Sequence, residues 1–467
     1  MNIDDFNGFL KYKDEFFPFS FSKNEITIHP YSIEKKIELL NEWFHNNSIP
    51  KNKWLNKIII DGVTDKNKGV KFFVTDNPSY FNGYYKFKID YMYIYRINSE
   101  TNEFYPIDGI RFKGPEINYF YNVSDYVKTD FEINSNNTFE RFALELSNKK
   151  DKKFGKFRWH NYSVSVNGSF SWKKDNDIYG PLEINSLLVL EFSRPCTDLK
   201  KIIELIQIQK IVMYFTCYRK NINFIEIDTY AYCENKLRDK IGNFYILNDD
   251  LSNTGEERNI LKRIITLNDT QDNYSKLYKL ISSNKLYTTH ICNNSYDRHL
   301  YTPSRILSII IAFEHLFKTI YPDVKIQSKE FDAVKKDVID YIDAKIPVST
   351  GKLKKKYKNM KNSVDKLDIS YGDCLKYALK DNFNVLREFI QKRYKVKNSR
   401  SVINGCSNRV NFIRNQMAHG KLDLKYKPIN SNDIYIIELL LYSMVLKKIG
   451  LKDDIINLKI KCLFNIS

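Results

Sequence analysis

The repeat of the apolar residues changes part-way along the chain, and that change limits the fold more than any single motif. Between Tyr85 and Tyr95 the odd positions are Tyr85, Phe87, Ile89, Tyr91, Tyr93 and Tyr95, with Lys86, Lys88 and Asp90 among the residues between them. A repeat of two with one apolar side is the mark of a half-buried strand. Tyr162, Val164 and Val166 alternate with Ser163 and Ser165 in the same way. Asn167-Gly168 then predicts a hairpin turn before Phe170 and Trp172, because both residues accept positive φ. Leu187–Phe192 and Phe224–Tyr232 read as further strands, with a helix over Leu199–Tyr214 between them.

Beyond about residue 240 the repeat becomes helical. Thr302 and Pro303 suit an N-cap and first turn, and Ile306, Ile309, Ile310, Phe313, Leu316, Phe317 and Ile320 follow at helical spacing. Phe331, Val334, Val338 and Tyr341 form a second stripe, and Leu386, Phe389 and Ile390 a third. Val410, Ile413 and Met417 mark a helix that Gly420 is placed to end. Ser431 is expected to cap the last long helix, whose stripe is Ile434, Ile437, Leu440, Leu441 and Met444. The expected fold class is therefore α+β. A β-rich N-terminal domain spans 1–240, a helical linker region 241–300, and an all-α bundle 301–467.

Charge divides along the same line. The chain carries a formal net charge of +18; residues 1–240 hold 35 basic and 32 acidic side chains, and residues 241–467 hold 39 and 24. An anionic partner should meet the C-terminal half. The seven cysteines form no C-x-x-C pair, so neither a disulfide framework nor a zinc ribbon is expected. Met1-Asn2-Ile3-Asp4-Asp5 lacks the basic and apolar regions of a signal peptide. The apolar runs Ile306–Phe313 and Ile434–Leu446 fall short of the roughly 20 residues that cross a bilayer. A cytoplasmic protein with no membrane contact is the expectation.

One local group suggests catalysis: Arg414-Asn415-Gln416-Met417-Ala418-His419-Gly420. A histidine titrates near neutrality and can take or give a proton. An arginine fork can hold the charge that builds on a phosphoryl group. Together they fit metal-free RNA cleavage, in which the ribose 2′-hydroxyl attacks its own phosphate and leaves a 2′,3′-cyclic phosphate. Five residues on a helix turn the direction by about 140°, so Arg414 and His419 do not share one tight face. Two copies related by a two-fold axis would place both pairs around one phosphate, which predicts a homodimer. The plain alternative is a solvated arginine and a histidine favoured by the helix C-terminus.

Arg414-Asn415-x-x-x-His419 resembles the R-x4–6-H motif of HEPN domains, with the polar residue that often follows the arginine. Ser304-Arg305-Ile306-Leu307 through Ala312-Phe313-Glu314-His315-Leu316-Phe317 resembles the early helix of the Apea-like HEPN family, and Val410–Gly420 its motif helix. The resemblance covers about 300–450, and the β-rich first half is similar in kind to the domain that accompanies this HEPN type. It implies an anti-phage endoribonuclease of abortive infection, dimeric and metal-independent, with transfer RNA as a candidate substrate. Arg414 and His419 carry over as catalytic and Asn415 as a supporting polar residue. The N-terminal domain would sense a phage-derived trigger or restrain the site. Two further readings stay open: a non-catalytic RNA- or nucleotide-binding module, and the toxin half of a toxin–antitoxin pair.

Two basic clusters are candidate RNA contacts. The first is Lys352, Lys354, Lys355, Lys356, Lys358 and Lys361, with Tyr357 inside it; the second is Lys392, Arg393, Lys395, Lys397 and Arg400, with Tyr394. Such clusters bind phosphates in a salt-sensitive way, and tyrosines among them can stack on bases. The alternative is a solvated charge run. His290, Cys292 and His299 match no standard metal spacing, so no metal is expected. Glu314-His315 reads as a satisfied core pair, and Cys406 lacks the partners of a nucleophile. Without a Walker loop or G-x-G-x-x-G, no cofactor is expected.

Overall fold

The computed structural model describes residues 3–47, 58–74, 79–81, 83–122, 127–133, 139–146, 151–174, 182–233, 237–247, 256–270, 273–324, 329–365, 370–397, 399–418 and 428–466. The chain divides into two compact units. Unit 1 is Met1–Ser283 with Ile291–Asp297, and unit 2 is Asn284–His290 with Arg298–Ser467.

Unit 1 opens with strands β1 (Phe6–Tyr12), β2 (Glu15–Ser22) and β3 (Glu25–Ile28), then helix α1 (Ile33–Asn47). Strands β4 (Ile58–Thr64), β5 (Gly69–Val74), β6 (Ser79–Phe81) and β7 (Tyr84–Tyr95) follow. Antiparallel pairing runs β7-β3-β2-β1-β4-β5 and returns to β7, so these six strands close into a barrel. Closure removes the free strand edges that invite aggregation. Leu10, Phe19, Phe21, Ile26, Phe72 and Phe87 belong to the buried cluster the barrel strands share.

Strands β8 (Ile107–Lys113), β9 (Val127–Ile133), β10 (Phe139–Leu146), β11 (Lys152–Trp159), β12 (Tyr162–Lys174), β13 (Leu182–Cys196), β14 (Glu226–Tyr232) and β15 (Arg238–Ile246) complete the strands. β9 and β10 form a separate pair, and the others extend the sheet from β7 in the order β15-β14-β8-β13-β12-β11. Helices α2 (Pro115–Phe120), α3 (Leu199–Cys217), α4 (Arg258–Leu261), α5 (Leu267–Thr270) and α6 (Tyr274–Ser282) belong to this unit. Asp198 caps α3 by accepting from the amides of Lys200 and Lys201.

The expected alternation in β7 holds from Tyr85 to Ile89, where odd positions are buried. It fails beyond, where Met92 and Tyr93 are both buried. That half of β7 pairs with both β5 and β15. The hairpin expected at Asn167-Gly168 is absent. Both residues lie inside β12, opposite Val189 and Leu188 of β13. Gly168 serves close packing: a Cβ there would stand 2.7 Å from the Tyr121 ring. The turn falls earlier, between Trp159 and Tyr162, with His160 in the left-handed region at φ 46°.

Unit 2 is helical: α7 (Pro303–Ile320), α8 (Lys329–Lys345), α9 (Gly351–Asp365), α10 (Tyr371–Asp381), α11 (Phe383–Tyr394), α12 (Ser399–Ala418), α13 (Pro428–Ile449) and α14 (Asp453–Phe464). Thr302 caps α7 as expected, accepting from the Arg305 amide. Ser431 does not cap α13, which already begins at Pro428, a residue suited to the first helical position. α13 is buried almost all round from Ile434 to Leu446 and packs against α7, α11, α12 and α14. A helix apolar on every side belongs at the centre of its bundle. Among its described residues, Asp433, Glu438 and Ser443 are buried polar side chains, and each is bonded. Asp433 accepts from Arg409, Glu438 from Arg305 and Tyr301, and Asn382 from Ser443. The stripe on α8 forms as helix yet stays exposed at Phe331, Val334, Val338 and Tyr341.

Candidate active site in the helical unit

Three helices of unit 2 build a cleft around Arg414. α12 packs against α7, α10, α11 and α13, with Val410, Ile413 and Met417 buried on its inner side. Arg409 is drawn inward, its Nε and Nη2 donating to Asp433 at 2.7 and 2.8 Å. Five residues on, the helix has turned by about 140°, and Arg414 faces the cleft with Asn411 and Asn415 beside it.

The opposite wall comes from α7, which supplies Phe313, Glu314, Phe317 and Lys318. The third side is the start of α10, where Ser370 accepts from the Asp373 amide as N-cap and is followed by Tyr371. The cleft has a volume of about 810 Å³. Its floor is apolar and its rim polar, as in small-molecule and nucleotide sites.

Arg414 donates from Nε to Glu314 Oε1 at 3.2 Å, and from Nη1 to Asn415 Oδ1 at 3.4 Å. The two ion-paired side chains are 41% and 37% exposed, so solvent screens the pair. Its value lies in orientation: a carboxylate on Nε fixes the plane of the guanidinium. Glu314 is thus a site residue, and the core pair expected for Glu314-His315 does not exist. His315 lies exposed, with Nε2 3.0 Å from the Asn284 carbonyl oxygen. The signal available in the sequence was an acid placed beside buried Phe313, in a unit rich in unmatched cations. His419, the other half of the expected pair, lies outside the described residues, as does Gly420.

A family model described as Apea-like HEPN matches residues 307–455. This stretch is similar to Apea-like HEPN domains. It begins within α7, ends at the start of α14, and takes in every wall of the Arg414 cleft. No curated protein and no solved structure matches the chain. The HEPN match supports a nuclease-type or RNA-related function for unit 2. The chain's described helices include none long and apolar enough to cross a membrane.

The first basic cluster lies on α9 of the HEPN region. Lys352, Lys355, Lys356 and Lys358 are exposed and Lys354 is half-buried. Lys361 is bound to Asp343 at 2.7 Å. The second cluster gathers at the end of α11, with Lys392, Arg393, Lys395 and Lys397 exposed. Cations there complement the helix C-terminus. Arg393 also lies 5.0 Å over the Tyr435 ring. Tyr394 is half-buried and donates its hydroxyl to Asp433. Arg400 belongs to α12, and its side chain lies outside the described residues.

Of the set-aside metal candidates, His290 and His299 fall in unit 2 and Cys292 in unit 1, where its thiol donates to the Tyr218 carbonyl at 3.3 Å. Among the described residues no three His, Cys, Asp or Glu side chains converge as a metal site. Cys406 is buried, and burial raises its thiol pKa well above the usual range, which suits a packing residue.

Proposed function

We propose that the protein is a HEPN endoribonuclease that cleaves RNA without a metal ion and acts in abortive infection against phage. One observation supports this reading most. Arg414 stands in an open cleft of the HEPN region, its guanidinium plane set by Glu314 and its Nη side turned to Asn415.

The nucleophile belongs to the substrate. The 2′-hydroxyl attacks the neighbouring phosphorus as its proton passes to a base, and the 5′-oxygen departs with a proton from an acid. The products are a 2′,3′-cyclic phosphate and a 5′-hydroxyl. His419 serves in proton transfer, and Arg414 holds the charge on the phosphoryl oxygens. Asn415 supports the arginine. A homodimer brings two motif helices to one composite site. The lysines of α9 and the cations after α11 gather the RNA, with transfer RNA as a substrate. Unit 1 senses the phage-derived trigger.

The test uses full-length protein and total bacterial RNA in EDTA, with wild type beside Arg414→Ala and His419→Ala. Wild-type-only cleavage with cyclic-phosphate ends is the expected result. Equal cleavage by the variants, or none by wild type in the presence of its trigger, removes the reading.

A further inference from the structure

Tyr371 carries a polar group in the cleft that the Arg–His motif does not use. It is the first residue of α10, directly after the Ser370 cap. Its ring meets Phe313 edge-on at 5.3 Å, and only 8% of the residue is exposed. Its hydroxyl is buried and makes no hydrogen bond among the described residues. Buried hydroxyls in folded proteins are paired as a rule, because an unmade bond is costly. Other tyrosines of this unit follow that rule: Tyr301 donates to Glu438, Tyr321 to Asp381 and Tyr394 to Asp433. Tyr371 lines the cleft instead, within electrostatic reach of Glu314 and Arg414. Burial raises its pKa well above the ordinary value, so the phenol keeps its proton at neutral pH and can donate.

The cleft that Tyr371 lines suits a nucleoside. Half-buried Tyr321, exposed Pro322, half-buried Val324 and exposed Lys318 also line the cleft. The volume, about 810 Å³, lies within the range of small-ligand sites. An aromatic wall, a hydrogen-bond donor in the floor and two cations at the edge match the three parts of a nucleotide: base, ribose and phosphate.

We infer that this cleft is the nucleoside subsite of the RNA, with Tyr371 donating to the substrate, Tyr321 and Pro322 flanking the base, and Lys318 and Arg414 meeting adjacent phosphates. The inference rests on the ribonuclease reading for its substrate class, though binding tests it apart from cleavage.

Tyr371→Phe removes only the hydroxyl. With full-length protein, the four ribonucleoside 3′-monophosphates and a fluorescent all-2′-deoxy oligonucleotide, which lacks the attacking hydroxyl, serve as probes. Wild type should bind at least one monophosphate. Tyr371→Phe should weaken that binding roughly tenfold or more, while its melting temperature holds or rises because an unpaired buried hydroxyl is gone. Unchanged binding by Tyr371→Phe, or no binding of any probe by wild type, overturns the subsite. If wild type cleaves RNA and the variant binds and cleaves equally well, the subsite fails while the ribonuclease reading stands. If the variant loses nucleotide binding but wild type never cleaves, the subsite stands and the ribonuclease reading fails.

Discussion

The Arg409–Asp433 pair should respond unequally to loss of its two halves. Asp433 is fully buried in α13, whereas the Arg409 side chain is 33% exposed. Arg409→Ala strands a carboxylate in the bundle with Tyr394 as its remaining hydroxyl donor. Leaving a buried charge without its counter-ion costs about 3–5 kcal/mol. Asp433→Ala leaves a cation that can turn to water. It loses two charge-assisted hydrogen bonds and the one from Tyr394, but solvent replaces much of their value, so the cost is about 1–3 kcal/mol. Arg409→Ala is therefore the more damaging change. The assay is urea unfolding followed by circular dichroism at the helix band. Tryptophan emission will not serve, since Trp43, Trp54, Trp159 and Trp172 all precede residue 240 and follow unit 1. Equal losses, or a larger loss for Asp433→Ala, would refute the burial argument. A double variant whose loss equals the sum of the single losses to within about 0.5 kcal/mol would show that the two residues are not coupled.

Three further outcomes are expected. Glu314→Gln keeps an acceptor for Arg414 Nε and removes a negative charge from the cleft. RNA should bind about 3–10-fold more tightly, with less than about 1 kcal/mol change in stability because the pair is solvent-screened; weaker binding in a fluorescence titration would contradict this. Replacing Lys355, Lys356 and Lys358 by Gln should lower the slope of log affinity against log salt by about 2, near 0.7 for each lost phosphate contact. An unaltered slope would place the RNA away from α9. Lys210 of α3, which burial pushes down to about 8, is held below its unfolded value of about 10.4. Burying its charge therefore costs stability in full below pH 8, and the cost fades as pH rises through the window between the two values. Lys210→Met should stabilise unit 1 by about 1–3 kcal/mol at pH 7, and the gap to wild type should close by about pH 10. A gap that stays constant across that range would exclude Lys210 as its source.

Residue spacing revealed the class of each half, because strands and helices leave different repeats in the chain. Tyr85–Ile89 and the run from Ile306 to Ile320 were legible for that reason. Closure of the barrel was not, since nothing local in β5 and β7 says that they pair. Asn167-Gly168 misled because the same dipeptide that makes a turn can sit where a ring, here that of Tyr121, presses on a strand. Ser431 misled because a better start, Pro428, lay three residues upstream. At the site, Arg414 could be singled out from its motif. Glu314 and Tyr371 could not, because they come from α7 and α10, 100 and 43 residues away in sequence. Their place in the cleft depends on tertiary packing that spacing does not encode.

The seam between the two units changes hands three times in fifteen residues. The chain leaves unit 1 after Ser283, returns to it at Ile291, and leaves again after Asp297. The short excursion, Asn284–His290, is part of unit 2's framework: the His290 carbonyl accepts from Arg305 Nε and the Asn284 carbonyl lies against His315. The return segment serves unit 1, where the Cys292 and Asn293 carbonyls accept from the backbone amide of Lys220. No single cut in this stretch yields both units whole. A gene fragment starting at residue 298 forfeits the excursion, and one ending at residue 283 forfeits the return. Expression of either unit alone has to keep its own segment of residues 284–297.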